Sequence, residues 1–349
     1  MKIVIVGAGV AGLATGWRLQ LQGCSVTILD RAQPGRGATW AAAGMLAVTA
    51  EMEDAVEAER ALAVRSNSLW PGFAAELEQT SDMPVGFTRS GALMLAADAA
   101  ELEAMRSRGQ VLDAAQVAAL VPGLGLAVGG LWAPDEAHVD SRALGDALAT
   151  AFLKAGGTLV PNEAVVRIEE HAGRASAVLT PFGRYAADAF LIAAGAWTGL
   201  LDDVPIRPVK GEMIALAPGD PGELPGPVIW GEGVYLVARG GQLLVGATVQ
   251  EAGFDTSLTQ EARDFLRGRA ERLIPAAGGW KLVEHWAGLR PATPDGLPLL
   301  GPLALPNLFI ASGQFRNGIL FAPAIAEIMH DMILGETAVI PEFDPRRFS

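Results

Sequence analysis

At 349 residues the chain exceeds what one hydrophobic core usually serves, so two interleaved domains are expected. Half of its residues are apolar and 19% are charged, a globular balance, and a net charge of −13 with scattered basic residues argues against nucleic acid or an anionic membrane surface as partner. A single cysteine, Cys24, allows neither an intramolecular disulfide nor a multi-cysteine metal site. His138, His171, His285 and His330 lie too far apart for metal-ligand spacing, and no apolar run reaches the ~18 residues of a membrane span. MKIVIVGAGV runs straight into a motif that needs its strand, so no cleaved secretory signal is expected and the cytoplasm is the expected location.

The β-branched run 2–6 reads as a buried parallel strand. GAGVAG follows at once, then a helix to about Gln22, a stop at Gly23, a second strand 25–29, and Asp30. Gly7 permits the tight turn, Gly9 lets backbone approach a pyrophosphate, and Gly12 lets helix and strand pack closely. The helix start offers free N–H groups and a positive dipole end to phosphate. Asp30 can accept from a ribose hydroxyl and disfavours a 2′-phosphate, although Arg31 beside it works the other way. The unit predicts a dinucleotide. No second G-x-G-x-x-G follows a strand, because Gly123 and Gly125 sit in a proline-containing loop. The small residues of 35–45 (GRGATWAAAGM) suit close approach to a large planar ring, which favours a flavin over a nicotinamide.

Further along, 51–79 reads as a helix, 90–96 as a strand, 114–121 as a short helix and 131–139 as strand and turn. Residues 141–154 read as a helix capped by Ser141, with short strands at 158–161, 165–169, 176–180 and 187–193. The last ends in Gly195, a second strand-and-glycine turn that can meet the same cofactor. Alternating strands dominate 206–286, with a helix at 259–273. The C-terminus returns to strand (308–312), the Gly313 turn and a helix (320–333). The fold class expected is α/β: a discontinuous Rossmann-like FAD-binding domain with an inserted mixed or antiparallel β-sheet domain. The boundaries are 1–80, 140–203 and 287–349 for the first, and 81–139 and 204–286 for the second.

Six segments carry a resemblance: TWAAAGML (39–46), VKGE (209–212), YLVAR (235–239), LVGAT (244–248), HWAGLRPATPDGLP (285–298) and QFRNGILFAP (314–323). Together they resemble the glycine oxidases of thiazole (thiamin) biosynthesis, within the D-amino acid oxidase family of FAD-dependent oxidoreductases. The resemblance implies non-covalent FAD, a small amino acid substrate, O2 as electron acceptor and a homo-oligomer, often a tetramer. It implies that Val10 and Ala11 lie by the pyrophosphate, and that Asp30 and Arg31 take the adenosine ribose. Ala38, Thr39, Ala43, Gly44 and Met45 would approach phosphates and ring, and Val165 would meet adenine. Gln314, Phe315, Arg316, Asn317, Gly318, Ile319 and Leu320 would cradle the ring's pyrimidine end. Arg290 would hold the substrate carboxylate, helped by Tyr235, with Arg316 lining the same pocket.

Arg suits that task because its planar fork binds a carboxylate bidentately. Of the two tyrosines, Tyr185 sits in a polar turn, while Tyr235 alternates with Val234 and Leu236 in an apolar strand. No general base stands out: Glu212 and Asp295 read as a strand partner and a turn residue. If substrate binds as the neutral amine, the α C–H can leave as hydride without one. Cys24 lies far from where the ring should be, so it is expected not to attach it. The family's His and Met are replaced by Gly233 and Val249, which removes side-chain volume near the expected pocket and leaves sarcosine or a D-amino acid open beside glycine. Trp230 and Trp286 are candidate fillers.

Overall fold

The computed structural model describes residues 1–53 and 55–348. Lys2–Val6 lies inside a six-stranded sheet, ordered Leu299–Pro302, Leu308–Ser312, Ala189–Ile192, Lys2–Val6, Ser25–Leu29 and Thr158–Val160. Neighbours pair parallel except for Leu299–Pro302, which is antiparallel to Leu308–Ser312. A strand covered on both faces is apolar throughout, and the alternation here sorts the two layers. Ile3 and Ile5 face Leu13, Trp17 and Phe152 of a helical layer. Val4 and Val6 face Ala175 and Val178 of a three-stranded antiparallel sheet. The helical layer comprises Val10–Leu21, Glu57–Ser81, Ser141–Lys154 and Gly318–Leu334. Cys24 is buried and unpaired in this layer's core.

A second sheet has eight strands, ordered Lys281–Ala292, Arg207–Ala217, Gln242–Gly246, Val234–Arg239, Val228–Gly231, Ala92–Leu95, Gly129–Ala133 and Gln110–Asp113. All pairs are antiparallel except Val228–Gly231 with Ala92–Leu95. Ile214, Leu236 and Val245 bury one face under the Gln260–Leu273 helix. Met213, Val237 and Trp286 on the other face receive Trp40, Ala41 and Ala43. The small-residue stretch after the first Rossmann unit is therefore the joint between the two sheets.

Several elements depart from the sequence reading. The helix expected over 51–79 includes Asp54, which lies outside the described residues, and its flanks belong to separate helices, Val48–Glu51 and Glu57–Ser81. The cause is visible in the fold: Glu136, from the turn after Gly129–Ala133, accepts from the Thr49 N–H and fixes the short helix on its own. Asp140, not Ser141, caps the next long helix, accepting from Arg142 and Ala143 N–H groups. The Ala99–Met105 helix and Gln110–Asp113 strand were not expected. The strand is an edge with only Leu112 buried, so it carries no alternating signature. Lys281–Ala292 runs unbroken through the boundary expected at 286/287, which places Arg290 on the second sheet. Among the described residues, no helix is long and apolar enough to cross a membrane.

Candidate active site

A cleft of about 1600 Å³ runs from the C-terminal ends of the parallel strands to the face of the second sheet opposite its helix. At its first end, Gly7 takes φ +113° and its N–H donates to Leu29 O at 2.7 Å. A Cβ there would lie 2.3 Å from Ala193 O, and one on Gly12 would lie 2.0 Å from Gly7 O, so both positions are closed to side chains. A Cβ on Gly9 would meet only Thr39 Oγ1, at 3.6 Å. The Val10–Leu21 helix has no side-chain cap at Gly9, and the Thr39 hydroxyl accepts from Val10 N–H at 2.9 Å. Asp30 accepts from the N–H groups of Ala8 (2.6 Å) and Ala32 (2.8 Å), so its carboxylate holds the turn in shape. Burial raises the Asp30 carboxyl above its usual range, although both donors and Arg31 act the other way. The Arg31 guanidinium lies 4.1 Å over the Trp197 ring, with Val165 and Gly195 on the same stretch of wall.

The middle of the cleft is walled by residues 38–45, and their outward carbonyls are tied to the second sheet and to the start of the Ser141–Lys154 helix. Trp286 Nε1 donates to Ala41 O at 3.0 Å and Ser141 Oγ to Ala42 O at 2.6 Å. Arg239 reaches Ala42 O and Ala43 O, both at 3.4 Å. Gly44, at φ +90°, passes so close to Val139 O that a Cβ would lie 2.0 Å away. Opposite, the Gly318–Leu334 helix starts at the cleft, again without a side-chain cap, at Asn317.

At the far end stand Arg290 and Tyr235, and each owes its pose to a glycine on the neighbouring strand. A Cβ on Gly211 would lie 2.2 Å from Arg290 Nη1, so the guanidinium lies flat across that glycine, and Nη1 donates to Thr248 O at 3.2 Å. Tyr235 is paired in register with Gly246, where a Cβ would lie 2.4 Å from the phenol oxygen. Burial raises the Tyr235 hydroxyl above its usual range, with the Arg290 charge pulling the other way. Trp230 is tilted against the phenol ring at 5.2 Å. Arg316 borders the same space, but its Nε pairs with Glu51 at 2.7 Å, and its side chain is 53% exposed against 7% for Glu51.

Nearly all of the expected site residues border this one cleft. Gly7, Gly9, Val10, Ala11, Asp30, Arg31, Ala38, Thr39, Ala43, Gly44, Met45, Val165, Gly195, Tyr235, Arg290 and the run from Gln314 to Ile319 do so. Three do not. Gly12 lies beneath the turn, and Gly313, at φ +77°, packs on Thr293 Cγ2. Leu320 is turned away from the cleft: it is 2% exposed, and its carbonyl accepts from Ser66 Oγ (2.6 Å) and Trp70 Nε1 (2.9 Å). Cys24 does not border the cleft. Gly233 and Val249 stand at its rim, both exposed, and a Cβ on Gly233 would meet nothing within 4 Å. Glu212 is fully buried, accepting from Thr259 N–H and Oγ1 beside Lys210, and Asp295 pairs with Arg347 at 2.8 Å, so both are structural. Tyr185 donates to Glu163 at 2.9 Å. Sequence reasoning missed Glu51, Trp197, Gly211 and Gly246. Glu51 sits in an acid-rich stretch that reads as a solvated helix face, and the glycines matter only through strand register, which the sequence does not display.

An elongated cleft that meets two helix starts, neither capped by the side chain of its own N-cap residue, suits a long anionic cofactor with a planar end. Gln314, 7% exposed at that end, keeps its amide nitrogen without a hydrogen-bond partner, a donor that such a ring can use. The comparisons with known proteins agree. The chain belongs to the FAD dependent oxidoreductase family, DAO, whose model matches residues 2–332, and FAD is its cofactor. Within that family it is similar to the glycine oxidase of Pseudomonas aeruginosa, at 32% identity over 97% of this chain and 96% of the relative. It is also 36% identical, over 99% of its length, to the bifunctional protein ThiO/ThiG of Synechocystis, and it spans about half (54%) of that longer relative. The crystal structure of glycine oxidase from Geobacillus kaustophilus superposes with a TM-score of 0.92 at 30% identity, covering 98% of both chains.

Proposed function

We propose that this chain is an amino acid oxidase. It takes glycine, or another small D- or N-methyl amino acid, to the imine, and water converts the imine to a 2-oxo acid and ammonia or amine. The electrons pass to O2, giving H2O2. The observation that carries this reading is the pairing of Arg290 and Tyr235 on one wall of the cleft, each seated on a glycine. FAD, when bound without a covalent link, supplies the two-electron acceptor. Val10 and Ala11 would hold its pyrophosphate at the helix start, Asp30, Arg31 and Val165 would flank the adenosine, and the strips 38–45 and 314–319 would enclose the ring. Arg290 grips the substrate carboxylate through both guanidinium nitrogens, and Tyr235 donates a further hydrogen bond. That grip fixes the α-carbon in place, and fixed geometry of this kind removes a large part of a barrier. Residues 1–80, 140–203 and 287–349 form the cofactor domain, with the sheet residues through Ala292 shared with the substrate domain. A place in thiamin biosynthesis fits the ThiO names among the relatives, and a homo-oligomer, often a tetramer, is what the family resemblance implies.

Anaerobic mixing of the yellow holoprotein with glycine, sarcosine, D-alanine and D-proline tests this. Bleaching by at least one of them is expected, and bleaching by none overturns the reading. Peroxide equal to substrate consumed supports the oxidase, whereas turnover only with an added dye identifies a dehydrogenase on the same site.

A further inference from the structure

An amino acid arrives with its nitrogen protonated, and an ammonium group has no lone pair with which to form an imine. We propose that the Glu51 carboxylate takes this proton from the bound amino acid, so that the amine is neutral when the α-carbon is oxidised. The proposal rests on the amino acid oxidase reading above.

The cleft is bordered by six acids among the described residues: Asp30, Glu51, Glu53, Glu101, Glu163 and Glu232. Five are otherwise placed. Asp30 and Glu163 stand at the adenosine end, Asp30 holding the Ala8 and Ala32 amides and Glu163 accepting from Thr180 and Tyr185. Glu53 pairs with Arg108 at 2.8 Å, and Glu232 with Arg269 at 2.6 Å. Glu101 is exposed and accepts from Ala97 N–H. Glu51 alone has its carboxylate buried on the wall shared with Arg290 and Tyr235, near enough for the Arg290 charge to act on it.

Its orientation is fixed from both sides. Glu136 ties down the start of the Val48–Glu51 helix through Thr49 N–H, and Arg316 Nε grips the carboxylate at 2.7 Å. The charged or titratable groups that face it are Arg316 from the 314–317 turn, Arg290 and Tyr235 from the second sheet, Glu59 from the Glu57–Ser81 helix, and Glu136. Glu59 accepts from Asn317 and does not border the cleft. Burial raises the Glu51 carboxyl above its usual range, with Arg316 opposing, so it is a better proton acceptor than a carboxylate in water.

The step balances. The ammonium N–H bond breaks, its electron pair stays on nitrogen, and the proton goes to Glu51. The α C–H bond then breaks, its hydrogen leaves with the bonding pair as hydride to the two-electron acceptor, and the nitrogen lone pair forms the C=N bond. Glu51 returns its proton to solvent as the iminium product leaves.

The probe is 2-aminoisobutyrate, which has no α-hydrogen and so binds without turnover, titrated into holoenzyme by calorimetry across pH. Wild-type affinity should be flat between the ionisations of Glu51 and of the ligand ammonium, because the complex holds one proton throughout. In Glu51→Gln only the neutral amine binds productively. Affinity, and the rate of flavin bleaching at low glycine, should then rise tenfold per pH unit up to the ammonium ionisation, and Glu51→Asp should restore flatness. A flat profile in Glu51→Gln overturns the proposal. Should that variant lose its flavin, the wild type decides alone: its affinity must fall tenfold per unit on the acid side of Glu51, and a profile without that limb is equally fatal. Wild type that no amino acid bleaches would sink the enzyme reading instead, a different outcome.

Discussion

The two ends of the cleft use glycine in opposite ways. At the cofactor end, Gly7 and Gly12 have no Cβ so that backbone can meet backbone: their nearest neighbours would be the carbonyls of Ala193 and Gly7. At the Arg290 end, Gly211 and Gly246 have none so that a neighbour's side chain can lie down across the strand, Arg290 on one and Tyr235 on the other. The first arrangement is a rigid property of a local turn. The second is a seat for a functional group, set by register between strands that are distant in sequence.

The sharpest way to test this contrast is to fill both kinds of glycine. Gly12→Val should abolish the holoprotein, because its Cβ would overlap the Gly7 carbonyl and nothing nearby can yield. A loss of roughly 3 kcal/mol or more is expected, read as absent flavin absorbance and a lowered Tm. Arg290→Ala should leave the flavin bound while kcat/KM falls by about 2–4 kcal/mol, mostly through KM. Unchanged kinetics would remove Arg290 from the site. Gly211→Ala should reproduce a weaker form of that defect, about 1–3 kcal/mol in kcat/KM with normal flavin content, since it displaces the guanidinium without removing it. Flavin loss in this variant would show that the two ends do not differ as argued.

Glu136 gives the smallest expected effect. One of its carboxylate oxygens is buried without a partner, and burial pushes its carboxyl up to about 7. The folded state therefore favours the protonated form. Its contribution is fully present below the ordinary glutamate range and is lost as pH rises through about 7. Glu136→Gln should remove that decline. Between pH 5 and pH 8, urea melts should show the wild type losing on the order of 1–2 kcal/mol relative to the variant.

What the sequence made legible follows the same division. The strand, glycine turn, helix, strand and acid of residues 2–30 lie within one contiguous stretch, and periodicity with turn chemistry was enough to read them. The position of Arg290 came through family resemblance, not through pattern. Its seat on Gly211 depends on the pairing of Val209 with Arg290, which no local signal encodes. Glu51 stayed hidden because its stretch, TAEMEDAVEAER, looks like a solvated helix face. Ties distant in sequence, from Glu136 to Thr49 N–H and from Arg316 to the Glu51 carboxylate, hold it in place. Ser at position 141 matches a common cap residue, yet Asp140 does that work and leaves the Ser141 hydroxyl for Ala42 O.

The strip 41–43 has a practical consequence for anyone reshaping this protein. Its outward carbonyls are shared among an indole, a hydroxyl and a guanidinium from three separate segments. A change at Trp286 or Arg239 would thus be felt along the middle wall of the cleft. The rim formed by Gly233 and Val249 carries no such obligations. Reshaping the rim belongs at the exposed Val249, because Gly233 has open space around it but holds φ +74°, a conformation that side chains rarely adopt.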